Sequence, residues 1–118
     1  MYKIIIYKNK NGKELIKDYF AELALKASTN KNYRIKQKKI FEYLDILKTY
    51  GTRAGEPYVK HIVDDIWEIR PTDDRMLFAY FKDNIFVLLH HFKKTTNKTP
   101  EKEKNKAKEN LKDFLQRN

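Results

Sequence analysis

The stretch Ile85–Phe92, IFVLLHHF, is almost continuously apolar. A strand with one wet face alternates apolar and polar residues. An unbroken run instead predicts a central strand covered on both faces. Three shorter runs precede it. They are Val59–Val63, Ile66–Arg70 and Arg75–Phe81, with Pro71-Thr72-Asp73-Asp74 and Lys82-Asp83-Asn84 as turns between the later ones. Short turns make consecutive strands antiparallel neighbours.

Upstream of Gly51 the apolar period is helical. After a β-branched strand, Tyr2–Tyr7, and a break at Asn11-Gly12, the apolar residues are Leu15, Ile16, Tyr19, Phe20, Leu23 and Ala27. That spacing forms one stripe of a helix. Ser28-Thr29-Asn30 supplies a break with an N-cap inside it. A second helix places Tyr33, Ile40, Phe41, Leu44 and Leu47 inward and Lys31, Arg34, Lys36, Lys38 and Lys39 outward. Gly51, Gly55 and Pro57 end it in a loop. Near the C-terminus, Thr99-Pro100-Glu101 opens a last helix, with Thr as N-cap and Pro at the first helical position. Its apolar residues are Ala107, Leu111, Phe114 and Leu115. The pattern predicts one α+β domain spanning residues 1–118. It has a mostly antiparallel four- to five-stranded sheet, two N-terminal helices and one C-terminal helix, with the helices packed on one face.

Charge narrows the partners. The chain has 26 Lys and Arg against 16 Asp and Glu, a formal net charge of +10. Such a domain calls for a polyanion, and nucleic acid is the first expectation. The alternative is that the lysines only keep the chain soluble. There is no Cys, so neither a disulfide nor a thiolate metal site can form. Three glycines are too few for a phosphate-cradling loop. HExxH and EF-hand patterns are missing, and no metal or cofactor is expected. The apolar run near Met1 is too short for a signal-peptide core. Without a membrane-length apolar segment, a cytosolic protein is expected.

The remaining chemistry lies in cations on strands. Arg70 ends one strand and Arg75 opens the next across a short turn, while Lys93 and Lys94 end the following one and Lys60 lies upstream. Strand pairing predicts that these gather on one rim, where like charges are tolerated if they bind phosphate. Such a rim suits RNA cleavage by attack of the ribose 2′-oxygen on its own phosphate. Arg donors would stabilise the phosphorane. A lysine with a lowered pKa would move one proton, and His91, Glu68 or Tyr80 the other. Glu68 is equally suited to an ion pair with Arg70. Tyr80 fits either the core or a base-stacking platform. Adjacent on a strand, His90 and His91 point to opposite faces and cannot share a metal in the usual way. Arg34, Lys38 and Lys39 form a helical basic run that fits a solvated face or an rRNA backbone contact.

The segment GEPYVKHIVDDIWEIRPTDDRMLFAYFKDNIFVLLHHFKKTTNKTP resembles the core of HigB-type toxins of the RelE superfamily. The matching features are Pro57, Lys60, Glu68-Ile69-Arg70, Arg75, the apolar Ile85–Leu89, His91-Phe92-Lys93-Lys94-Thr95 and Thr99-Pro100. The resemblance covers the C-terminal half closely and the first two helices only in order and length. It implies a RelE-like fold and a ribosome-dependent mRNA endonuclease without metal or cofactor. It also implies Lys60, Arg70, Arg75 and Lys93 as functional cations. The implied partner is a HigA-type antitoxin with a helix-turn-helix, in a hetero-oligomer such as a heterotetramer that contacts operator DNA only through the antitoxin. The chain lacks the C-terminal catalytic tyrosine pattern of RelE toxins, so the resemblance assigns no general base. ParE toxins share the superfamily and poison DNA gyrase without cutting RNA. A gyrase inhibitor is therefore the second expectation and a plain RNA-binding module the third.

Overall fold

The computed structural model describes all 118 residues, Met1–Asn118. The elements run β1 (Lys3–Ile6), α1 (Leu15–Ala27), α2 (Lys31–Tyr50), a 3-10 turn at Gly51–Ala54, β2 (Val59–Val63), β3 (Ile66–Ile69), β4 (Asp74–Tyr80), β5 (Ile85–Lys93) and α3 (Glu101–Arg117). The five strands form one sheet in the order β1-β5-β4-β3-β2. β2 to β5 pair antiparallel, but β1 lies parallel to β5. The sheet is therefore mixed.

Local signals account for most boundaries. The Asn30 side chain accepts from the backbone N–H groups of Asn32 at 2.8 Å and Tyr33 at 3.3 Å, capping α2. Gly51 ends α2 at φ 62°, and a Cβ there would meet the Tyr2 ring at 2.7 Å. Both the backbone angle and the close approach require glycine. Between β4 and β5, Asp83 and Asn84 take positive φ, as a tight hairpin turn demands.

The helices do not share one face, contrary to the expectation from element order. α1 and α2 pack on one side, where Ile16, Leu23, Ile40, Leu44 and Leu47 meet Ile69, Met76, Phe78, Phe86 and Leu88. α3 covers the other side, where Ala107 and Phe114 meet Ile66, Leu77, Ala79, Val87 and Leu89. The continuous apolar character of β5 reflects these two cores. Within α2, Tyr43 is buried, whereas Phe41, expected inward, is exposed and touches Phe20 at 5.8 Å between ring centroids.

A bulge in β5 sets the direction of its second half. The register with β4 shifts between Leu77 and Phe78, which pair with His90 and Leu88. Leu89 is the extra residue, and its carbonyl accepts from the Asn110 side chain of α3 at 2.8 Å. One extra residue reverses the alternation downstream. Leu89 and His90 therefore both face α3, and His91 and Lys93 face α1 and α2.

Candidate functional site

The cations expected on one rim divide between the two faces of the sheet. Residues directly opposite in a ladder share a face. Lys60 pairs with Glu68, and Glu68 with Leu77, so Lys60, Glu68, Arg70 and Arg75 lie on the α3 side. Lys93 pairs with Asp74 on the α1 and α2 side.

On the α3 side a groove of about 310 Å³ runs between β2, the end of β3 and the start of α3. It is lined by Lys60, His61, Ile62, Arg70, Asn97, Lys98, Thr99 and Lys104. Glu68 is its buried base, with no exposed surface. One Glu68 carboxylate oxygen accepts from Arg70 Nε, and the other accepts from the Thr99 hydroxyl at 2.9 Å. Glu68 is thus fully engaged inside the protein, and its contacts are those of a holder of Arg70. With Nε bound to Glu68, the two terminal nitrogens of the Arg70 guanidinium remain for a ligand in the groove. Thr99 had been expected to cap α3. Pro100 takes that position, and the Thr99 hydroxyl goes to Glu68 instead.

Arg75 lies beneath this surface and is nearly buried. One terminal nitrogen donates to the carbonyls of Thr72 at 2.7 Å and Asp74 at 2.9 Å, fastening the β3–β4 turn. Burial, and then the nearby Arg70 charge, lower its pKa below the ordinary value. Lys60 has no ion-pair partner, whereas Lys104 reaches Glu101 at 3.3 Å in an exposed contact.

The α1 and α2 side carries a second polar cluster, centred on Asp74, which has no exposed surface. Asp74 Oδ1 is 2.7 Å from both the Tyr19 hydroxyl and His91 Nε2, and Oδ2 is 3.3 Å from Lys36 Nζ. Lys36 also reaches Asp73 at 3.1 Å. The Tyr19 and His91 rings stack at 3.9 Å. Burial opposes the Asp74 charge, but the contacts with His91, Tyr19 and Lys36 hold its pKa down to about 2. Burial, followed by the hydrogen bond to Asp74, raises the Tyr19 phenol well above its usual value. Burial also opposes the Lys36 charge, yet the carboxylates of Asp73 and Asp74 push its pKa up. Contact with Lys36, and then burial, lower the pKa of Lys93. A lysine with a lowered pKa was expected beside the Arg residues, but Lys93 stands on the other face. His91 is held between Tyr19 and Asp74, away from the groove.

The remaining candidates are spread out. Lys94 is exposed beyond β5, with its backbone N–H bonded to Asp73 O at 2.7 Å. An Arg34 terminal nitrogen donates to Ala27 O at 3.2 Å and closes the end of α1. Lys38 and Lys39 are exposed on α2, and Lys39 lies 5.8 Å from the Tyr43 ring centroid. Tyr80 ends β4 at the far end from Asp74. Its hydroxyl accepts from Asn84 N–H at 3.0 Å.

Sequence reasoning missed Tyr19, Lys36, Asp74 and Thr99 as site-forming residues. For Lys36 a signal existed: the inward stripe Tyr33, Ile40, Leu44, Leu47 lacks its member one turn after Tyr33, and Lys36 occupies that place.

These features define a small basic α+β domain with helices on both faces of a mixed sheet and an anion-receptive groove beside its C-terminal helix. The family model described as phage derived protein Gp49-like (DUF891) matches residues 25–112, and the chain belongs to that family. The family is phage-derived and related to the RelE-like toxins of toxin–antitoxin systems. No curated protein matches the chain. No helix is long and apolar enough to cross a membrane.

Proposed function

We propose that the chain is the toxin of a type II toxin–antitoxin system. On this reading it is a HigB-type endoribonuclease that cuts mRNA on the ribosome and is neutralised by a HigA-type antitoxin. Membership of the Gp49-like family is consistent with a toxin of this kind. The observation that carries the nuclease reading is the groove with Lys60, Arg70, Lys98 and Lys104 along it and Arg70 held by the buried Glu68.

The groove residues suit phosphate chemistry. The free nitrogens of Arg70 form a planar pair that matches two phosphate oxygens, and they oppose the charge that builds on the phosphorane. Fixing Arg70 before the substrate arrives removes reorganisation from the reaction. Lys60, on the neighbouring strand, is the proposed proton donor to the departing 5′-oxygen, and the proton of the attacking 2′-hydroxyl passes to solvent water. Lys98 and Lys104 hold flanking phosphates. Glu68 acts as a positioning residue, and His91 and the exposed Lys93 lie on the opposite face.

The test is to express wild type, Arg70→Ala and Lys60→Ala under tight control and map mRNA 5′ ends in translating cells. Wild type is expected to create new ends inside translated codons, and the folded variants are expected to lose them. Growth arrest by wild type without new ends would reject the nuclease. That outcome would favour the second reading, a gyrase inhibitor, which rests on the ParE toxins of the same superfamily.

A further inference from the structure

Two lysines meet on the α1 and α2 face of the sheet. Lys36 of α2 and Lys93 at the end of β5 bring their amino groups together beside Asp73 and Asp74. Two ammonium ions in contact repel, so the pair holds its second proton poorly. The carboxylates decide which lysine keeps the first. Lys36 Nζ reaches Asp73 at 3.1 Å and Asp74 at 3.3 Å, and its side chain is only 13% exposed. Both acids form their lysine ion pairs with Lys36 and neither with Lys93. Contact with Lys36, and then burial, outweigh the weaker pull of Asp74 and Asp73 and hold the Lys93 amine below its ordinary range.

The other charged and titratable groups around Lys93 are engaged elsewhere. On α1, Glu22 pairs with Lys26 at 2.8 Å, and the Tyr19 hydroxyl donates to Asp74 at 2.7 Å. On β5, His91 is bonded to the same Asp74 carboxylate. Lys93 itself is exposed, and with Tyr19, Glu22, Leu23, Lys26 and Tyr33 it lines a cleft of about 80 Å³. That is the room of two or three waters at about 30 Å³ each, enough for an acetyl group and too little for a long acyl chain.

From this arrangement we infer that Lys93 is the preferred acylation site of the chain, taking a short acyl group from a small acyl phosphate. The chain's net charge of +10 favours such an anionic donor. The free amine attacks the carbonyl carbon with its lone pair. The bond from that carbon to the phosphate oxygen breaks, phosphate departs with the electron pair, and the proton lost from nitrogen passes to solvent. The product is a neutral amide, which ends the like-charge contact with Lys36 and removes one charge from the basic surface. This site lies on the opposite face from the Lys60–Arg70 groove and does not depend on what that groove does.

The experiment exposes the full chain briefly to acetyl phosphate at neutral pH and quantifies each modified lysine by peptide mass spectrometry. Lys93 is expected to react faster than Lys38 and Lys39, exposed on α2, by roughly fivefold or more. The preference is expected to shrink as the pH approaches the ordinary lysine value of 10.5, where every amine becomes free. A preference due to access alone would not change with pH. Lys36→Met removes the neighbouring ammonium and leaves Asp73 and Asp74 to Lys93, so in the folded variant Lys93 is expected to react no faster than Lys38. The wild-type pH series decides alone if that variant does not fold. A faster lysine elsewhere, a preference constant with pH, or a folded Lys36→Met variant that keeps the full preference would overturn the inference.

Discussion

The Thr99 hydroxyl, just before α3, donates 2.9 Å to the fully buried Glu68 carboxylate on β3. The same carboxylate binds Arg70 Nε, so the loop leading into α3 and the guanidinium in the groove are tied to one buried charge. Removing the hydroxyl leaves a buried carboxylate oxygen without its donor. Thr99→Val is expected to cost about 1–3 kcal/mol, and Thr99→Ser much less. Urea unfolding of the two variants checks this; a Val variant as stable as wild type would mean that the contact contributes nothing.

The division of the cations between two faces makes the functional reading selective. Arg70→Lys keeps the charge but loses the paired geometry, and a drop of roughly 100-fold in cleavage is expected. Lys60→Ala is expected to fall by a comparable factor. Lys93→Ala, on the opposite face, is expected to retain cleavage within about threefold. Cleavage rates on one programmed message decide it, and loss of activity in Lys93→Ala alone would assign the chemistry to the wrong face.

Much of the fold is readable from local pattern. The change of period at Gly51, the Asn30 cap and the turns at Pro71–Asp74 and Lys82–Asn84 are encoded in a few residues each. Element order, however, does not determine which face a helix takes. The apolar continuity of Ile85–Leu89 carried that information, since one covered face would have left alternate positions polar. The parallel pairing of β1 is a tertiary choice with no local signature. The site was less legible for one physical reason. The bulge at Leu89 reverses the alternation of β5, and no residue preference near it announces the extra residue. Strand pairing brings Lys93 to the same end of the sheet as Arg70 and Arg75, but a shared end does not fix a shared face. Asp74 read as a turn residue, because its partners Tyr19 and Lys36 come from two distant helices.

The Asp74 cluster makes stability depend on acid. Its pKa is depressed from the ordinary 3.8 to about 2, so its ionised contacts stabilise the fold above about pH 4. That stabilisation is lost as the pH falls toward 2. Asp74→Asn is expected to lower stability by roughly 3 kcal/mol near neutral pH, because Lys36 loses a buried partner. The variant is also expected to show a flatter stability profile between pH 4 and 2. Thermal unfolding across that range, compared with wild type, gives the answer; parallel profiles would remove Asp74 as the cause.

Asn110 supports the bulge from α3 through the Leu89 carbonyl. Asn110→Leu leaves that carbonyl without its donor and is expected to destabilise by about 1–2 kcal/mol. Amide exchange is expected to quicken first in β5 downstream of Leu89. Uniform quickening across all strands would show that Asn110 contributes only to general packing.

The most direct measurement uses purified ribosomes translating one defined message, with full-length wild type and Arg70→Ala added in parallel and 5′ ends read by primer extension. Expected are cuts inside codons with wild type, none with Arg70→Ala, and none on the same message without ribosomes. Intact message with folded wild type on translating ribosomes, or equal cutting by the Arg70 variant, would contradict the nuclease assignment of the groove.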